Sequence, residues 1–229
     1  MDSVRVSPLI ALISATPAAI PPAVSAFSDA FPDATIWNLL DDRLLQDASA
    51  RGGVTSDLSD RMERLIQHAV TEGAEGILLT CSLYGAVAHS ASGSLAIPIF
   101  APDDAVFASV LADAPSDVLL VSAQEGPLTD SLTRFDHATA SAGINTVSSG
   151  VVADGAAAAA LAGDVDGLVE AIVQAVGSVS VKPSAVLLAQ YSLAPAAERL
   201  GAILNVPVYS GPQSAATALR SALGSEENK

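Results

Sequence analysis

The chain has 229 residues, enough for one large or two small domains with well-buried cores, so it needs no disulfide or metal staple. Its 25 acidic and 10 basic residues give a net charge of −15, which argues against nucleic acid or an anionic membrane as partner, since either polyanion would be repelled. The one cysteine, Cys81, and the three scattered histidines, His68, His89 and His137, form no cluster at zinc-ligand spacing, so no metal is expected.

Arg5 is followed by a charge-free run over residues 6–28, which raises the question of a signal peptide or membrane span. Pro8, Pro17, Pro21 and Pro22 interrupt it, and it reads instead as a strand, a loop and a helix start. With no targeting segment, and a lone thiol that stays free only under reducing conditions, the expected compartment is the cytoplasm. Short apolar runs then alternate with segments of helical period. LIALIS (9–14) and TIWNLL (35–40) read as strands, and 57–72 reads as a helix with Leu58, Met62, Leu65, Ile66 and Ala69 on one face. GILLT (76–80) and IPIF (97–100) follow, and Asp103 and Asp104 in APDDA resemble a helix cap with an acidic first turn. DVLLVS (117–122), INTVSS (144–149), AVLLA (185–189) and VPVY (206–209) are the remaining strands. The Ala-rich stretch 150–168 between them reads as a helix of little chemical content.

ILLTCSLYG…IPIFAPDDA aligns with VLLAQYSLA…VPVYSGPQSA without a gap, placing Ile77 on Val186, Cys81 on Gln190 and Pro98 on Pro207. With one residue of loop difference, ALIS falls on LLVS, Ser14 on Ser122, and Ile36 on Ile144. The expected fold is therefore α/β, built from two similar flavodoxin-like halves. Each is a four-stranded parallel sheet flanked by helices, and a pseudo-twofold axis relates them. Residues 1–112 form the first half, with 210–229 packing back on it, and 113–209 form the second. In open parallel sheets ligands sit beyond the carboxyl ends of the strands, so Cys81 and Gln190 should stand across one cleft.

A twofold repeat with a strand-end cysteine in LLTCS, preceded by GAEG, resembles the aspartate/glutamate racemase superfamily, which also holds hydantoin racemases, maleate isomerases and arylmalonate decarboxylases. The resemblance spans nearly the whole chain. It implies cofactor-free chemistry at a carbon next to a carboxylate, with a small carboxylate as substrate. Racemases of this kind end both equivalent strands with a cysteine; here Gln190 replaces the second, and AQYSLAP lacks the histidine that follows it in glutamate racemases. One thiol suits proton delivery to one face after decarboxylation, or addition to a double bond followed by rotation. Two-base racemisation would need a further acid, for which Tyr191 is the nearby candidate.

The residues alone point the same way. A strand-end thiol before a helix start feels unpaired amides and the positive end of the helix dipole, which favour the thiolate; the competing reading is a buried cysteine acting as a small hydrophobe. Ser14, Thr16, Thr80, Ser82, Ser122, Tyr191 and Ser192 are the candidate substrate-binding residues, each also readable as a helix cap. Asn38, Asp41 and Arg43 are candidates for the cleft mouth, with solvated loop charge as the alternative. No glycine-rich phosphate loop appears, so no nucleotide cofactor is expected. Homo-oligomerisation stays open. A protein that keeps the cleft to bind a small carboxylate without turnover is the alternative function.

Overall fold

A computed structural model describes residues 7–226; Arg5 and the last three residues lie outside it. In the first half β1 (Leu9–Ser14) leads through a short 3-10 turn to α1 (Ile20–Ala30) and β2 (Thr35–Leu40). α2 (Arg43–Ala50), α3 (Ser56–Thr71), β3 (Gly76–Leu79), α4 (Gly85–Ser92), β4 (Ile99–Phe100) and α5 (Asp104–Asp113) follow. The second half repeats the plan with β5 (Asp117–Ser122), α6 (Glu125–Ala142), β6 (Val147–Val152), α7 (Ala156–Ala162) and α8 (Val165–Ser178). It ends with β7 (Val186–Leu188), α9 (Ala197–Leu204), β8 (Val208–Ser210) and α10 (Gly211–Glu226).

The sheets run β2-β1-β3-β4 and β6-β5-β7-β8, all parallel. Ala11 pairs with Ile77 as Leu119 pairs with Val186, and Ile77 with Ile99 as Val186 with Val208, so the repeat seen in the sequence is a repeat of register. Even the prolines match: Ile77 N–H donates to the Pro98 carbonyl and Val186 N–H to that of Pro207, both at 2.9 Å. β1 and β3, like β5 and β7, are central strands buried on both faces, which is why they read as unbroken apolar runs.

One strand sits elsewhere than the sequence suggests. Ile36 pairs with Ile10, whose counterpart Val118 pairs with Ser148, so Ile36 corresponds to Ser148 and not to Ile144. Ile144 is taken by the end of α6: Gly143 is left-handed (φ 68°), and Ile144 N–H closes back on the Thr139 carbonyl. That arrangement ends a helix and delays the strand to Val147. The strand then runs through Gly150, where α6 lies so close that a Cβ would come within 2.8 Å of both Leu128 and Leu132. The stretch 150–168 is accordingly the end of β6, the short α7 and the start of α8, and Leu168 in α8 is core.

α3 buries Leu58, Met62, Ile66 and Ala69 against the first sheet, the larger of these contributing about 1.5–3 kcal/mol each. The last helix of each half crosses over. α5 puts Val106, Phe107 and Val110 into the core under β5 and β7, while α10 puts Ala215, Ala216 and Leu219 into the core under β1 and β3. This exchange locks the halves together and sets the carboxyl ends of both sheets around shared space.

Candidate active site

In each sheet the chain leaves the first strand toward one neighbour and returns to pair on its other side, so the loops after β1 and β3, and after β5 and β7, diverge at a crevice. Cys81 follows β3 at the head of a 3-10 turn over Ser82–Tyr84. Gln190 follows β7 at the head of the equivalent turn over Tyr191–Ala196. Both line one cavity, together with Thr16, Thr80, Ser82, Asp103, Tyr191 and Ser192, and with apolar wall from Ala19, Leu45, Pro102, Pro127 and Ala189. The free space is about 20 Å3, room for about one water molecule, so a substrate needs this crevice to widen.

The amide of Gln190 has a fixed orientation. Its Oε1 accepts from Ala123 N–H at 2.7 Å and lies 2.9 Å from Ser122 Oγ. A backbone N–H can only donate, so the oxygen faces β5 and the NH2 group is left as a pair of donors without a protein partner among the described residues. Among the described residues the hydroxyls of Thr16, Ser82 and Ser192 have no protein hydrogen bond either, and the cavity thus offers neutral donors to an anion.

Cys81 is 8 % exposed and its thiol is pushed up to about 12 by burial, with the nearby Asp103 and Asp130 adding to the effect; the Leu83 N–H and Arg134 pull the other way without overcoming it. The expected thiolate is therefore corrected to a protonated thiol. The 3-10 turn behind Cys81 runs straight into α4, but burial outweighs what the turn's amides and the helix dipole contribute. The sign for stability follows. The folded chain holds this proton to about pH 12 while the unfolded chain releases it near ~8.5, so the stabilisation is complete below the lower value and is lost as pH rises above it, by up to about 1.4 kcal/mol per pH unit. Melting curves from pH 8 to 10.5 should fall more steeply for the native chain than for Cys81→Ala. Iodoacetamide labelling should climb throughout that range with no plateau; a plateau below pH 8 would mean a thiolate.

Several candidates are placed away from the cavity. Ser14, fully buried, accepts from Thr80 Oγ1 at 2.9 Å, and Ser122, also fully buried, is engaged by Gln190 and the Gln124 backbone; both hold site residues in place and do not line the cavity. Asn38 is exposed within the edge strand β2. Asp41 is tied to Arg61 (Oδ2–Nε 2.5 Å), and Arg43 is exposed beside Asp47 (3.5 Å). Tyr191 lines the cavity but is buried, with its hydroxyl donating to the Pro102 carbonyl at 3.1 Å, and burial drives its ionisation well above the ordinary tyrosine range. It has no proton to spare for a substrate.

Asp103 lines the cavity although its sequence context is that of a helix cap. It sits at the cap position of α5 but makes no side-chain cap bond; its carboxylate is 4 % exposed, lines the cavity and meets Arg134 of α6 (Oδ2–Nη2 2.5 Å), itself paired with Asp130 at 2.8 Å. Burial pushes Asp103 upward from the ordinary carboxylate range, and the guanidinium restrains the shift. No group of three or more His, Cys, Asp or Glu able to hold a metal occurs among the described residues. No helix among them is long and apolar enough to cross a membrane.

Solved structures of the same architecture are found across almost the whole chain. A glutamate racemase isoform from Bacillus anthracis superposes with a TM-score of 0.75 at 10% identity, covering 97% of this chain and 84% of that one. The aspartate racemase of Picrophilus torridus gives 0.69 at 15% identity, with 95% and 94% covered. A liganded double mutant of arylmalonate decarboxylase, with a glycine changed to cysteine and a cysteine to serine, gives 0.62 at 20% identity, with 95% and 93% covered. The chain has the fold of these racemases and of the decarboxylase. No protein-family model matches it, and no curated protein matches it in sequence. At these identities the likeness speaks for the fold, and the chemistry has to be argued from the cavity.

Proposed function

We propose that the chain is a cofactor-independent enzyme acting at a carbon next to a carboxylate, with Cys81 delivering a proton to one face and Gln190 serving as a neutral hydrogen-bond donor. The observation that carries this reading is the pairing of Cys81 and Gln190 at equivalent strand ends in one cavity. In this reading the hydroxyls of Thr16, Ser82 and Ser192 and the amide N–H groups at the two turn starts hold a substrate carboxylate. Loss of CO2 from a second carboxylate leaves an enediolate, whose charge the Gln190 NH2 group stabilises, and the Cys81 thiol gives its proton to the carbanionic carbon.

A thiol kept protonated suits this donor role better than addition to a double bond, which needs the thiolate. Two-base racemisation is disfavoured, because a neutral amide neither gives nor takes a proton near pH 7 and the Tyr191 hydroxyl is committed to Pro102. The substrate class is therefore a small malonate-type dicarboxylate, and the reaction an enantioface-selective decarboxylation. Incubation in D2O with 2-substituted malonates tests it: the monoacid product should carry one carbon-bound deuterium in a single enantiomer. Dicarboxylates that raise the melting temperature but acquire no deuterium would show a binding protein instead.

A further inference from the structure

The proposed reaction leaves Cys81 as a thiolate, which must regain a proton before the next turnover. The groups around it with protons to exchange are few. Tyr84, in the turn behind it, donates to the Leu44 carbonyl at 3.0 Å, and Tyr191, across the cavity, is committed to Pro102. Asp130 and Arg134 of α6 are paired to each other, and Asp104 of α5 is paired on the surface with His89 of α4 (2.9 Å). Asp103 differs from all of these. Its Oδ2 receives Arg134, but its Oδ1 receives no hydrogen bond from the protein, and no partnerless side-chain oxygen among the described residues is sealed from solvent. Oδ1 thus keeps contact with free space, and the space that Asp103 lines is the one that Cys81 lines. At about 20 Å3 that space fits one water molecule with polar groups on both sides.

We propose, resting on the reading of Cys81 as proton donor, that Asp103 returns the proton to Cys81 through a single bridging water once product has left. In the chemical step the S–H bond breaks and a C–H bond forms. In the return step the thiolate takes a proton from the water as the water takes one from the Asp103 carboxyl, and the Asp103 carboxylate is then reprotonated from solvent. Each turnover consumes one solvent proton, which ends on the product carbon in place of the departing CO2. In this step Asp103 acts through Cys81 and the bridging water. Burial favours its protonated form, and Arg134 keeps the group from being trapped there.

Asp103→Asn keeps an acceptor for Arg134, which also retains Asp130, and tests the proposal. Rapid-mixing experiments should show a first turnover within about threefold of native followed by a steady state slowed about 10²-fold, and added formic or acetic acid should restore the steady state. First-turnover and steady-state rates falling together, or a steady state unaffected, would overturn it. If Asp103→Asn fails to fold, Asp103→Glu keeps the carboxyl and should hold the steady state within about tenfold; a folded Asp103→Glu that loses the steady state without acid rescue overturns the proposal. Labelling of Cys81 by iodoacetamide separates this idea from the proposed function, because it needs no substrate. Asp103→Asn should label at lower pH than the native chain, whether or not any malonate is turned over, and an unshifted profile would refute the coupling of Asp103 to the thiol.

Discussion

Cys81→Ala should lower the proposed decarboxylation by at least about 10²–10⁴-fold in kcat while leaving a folded protein. The side chain stands at the boundary of two roles: it belongs to the core formed by Ala11, Ile77, Leu79, Tyr84 and Val87, and it lines the cavity. Removing one sulfur from a core edge costs about 1 kcal/mol, a few degrees of melting temperature for a chain of this size. Turnover and melting must therefore be measured on the same sample. A large drop in melting temperature with turnover retained would make Cys81 a packing residue. Cys81→Ser sharpens the test, since a hydroxyl fills nearly the same volume but holds its proton far more tightly, and it should be as inactive as the alanine variant.

The fold was legible because central parallel strands carry their burial in composition alone. LIALIS and DVLLVS coincide with the central strands β1 and β5 residue for residue, TIWNLL marks the edge strand β2 by its alternation, and the repeat placed Cys81 and Gln190 at equivalent strand ends. What went astray depended on contacts distant in the chain. Ile144 looked like a strand residue because nothing local shows that it closes the end of α6. Ser14 and Ser122 were placed in the site because they end central strands. In each half, though, a side chain arriving from the next strand, Thr80 or Gln190, takes up the hydroxyl. Asn38 lies in β2, the exposed edge strand, where alternation decides direction and a polar residue points to water.

Asp103 shows the same limit more sharply. Two aspartates ahead of a helical run have a complete local explanation as a cap, and only the crossing of α5 onto the second sheet brings Arg134 of α6 to the carboxylate. The thiol misled in the opposite direction. A strand-end cysteine before a helical turn has every local reason to ionise, but the closed crevice leaves desolvation in control. Local sequence shows which polar groups end the strands, but not how the crevice closes over them.

Gln190→Cys should convert one-sided proton delivery into two-sided exchange. Under the proposed function, a carbanion held in the native cavity meets a thiol from the first half and an amide from the second, so solvent deuterium should reach one face only. A cysteine at the end of β7 restores chemical equivalence to the two strand ends, whose registers already match. The substitution removes the acceptor for Ala123 N–H and for Ser122, which still has the Gln124 carbonyl at 2.9 Å, so one backbone donor is left to find water. The expected stability loss is about 1–3 kcal/mol. Against that loss, the variant should form both enantiomers of the monoacid from a prochiral malonate, each carrying deuterium, and should slowly racemise a single enantiomer that the native chain leaves untouched. Adding Cys81→Ala to Gln190→Cys should then give one enantiomer again, of the opposite hand, because the sole remaining thiol belongs to the other lobe. Chiral chromatography of the product distinguishes these cases. If Gln190→Cys folds and still yields the native enantiomer alone, the second strand end does not face the reacting carbon, and the cavity binds its substrate against the first half only.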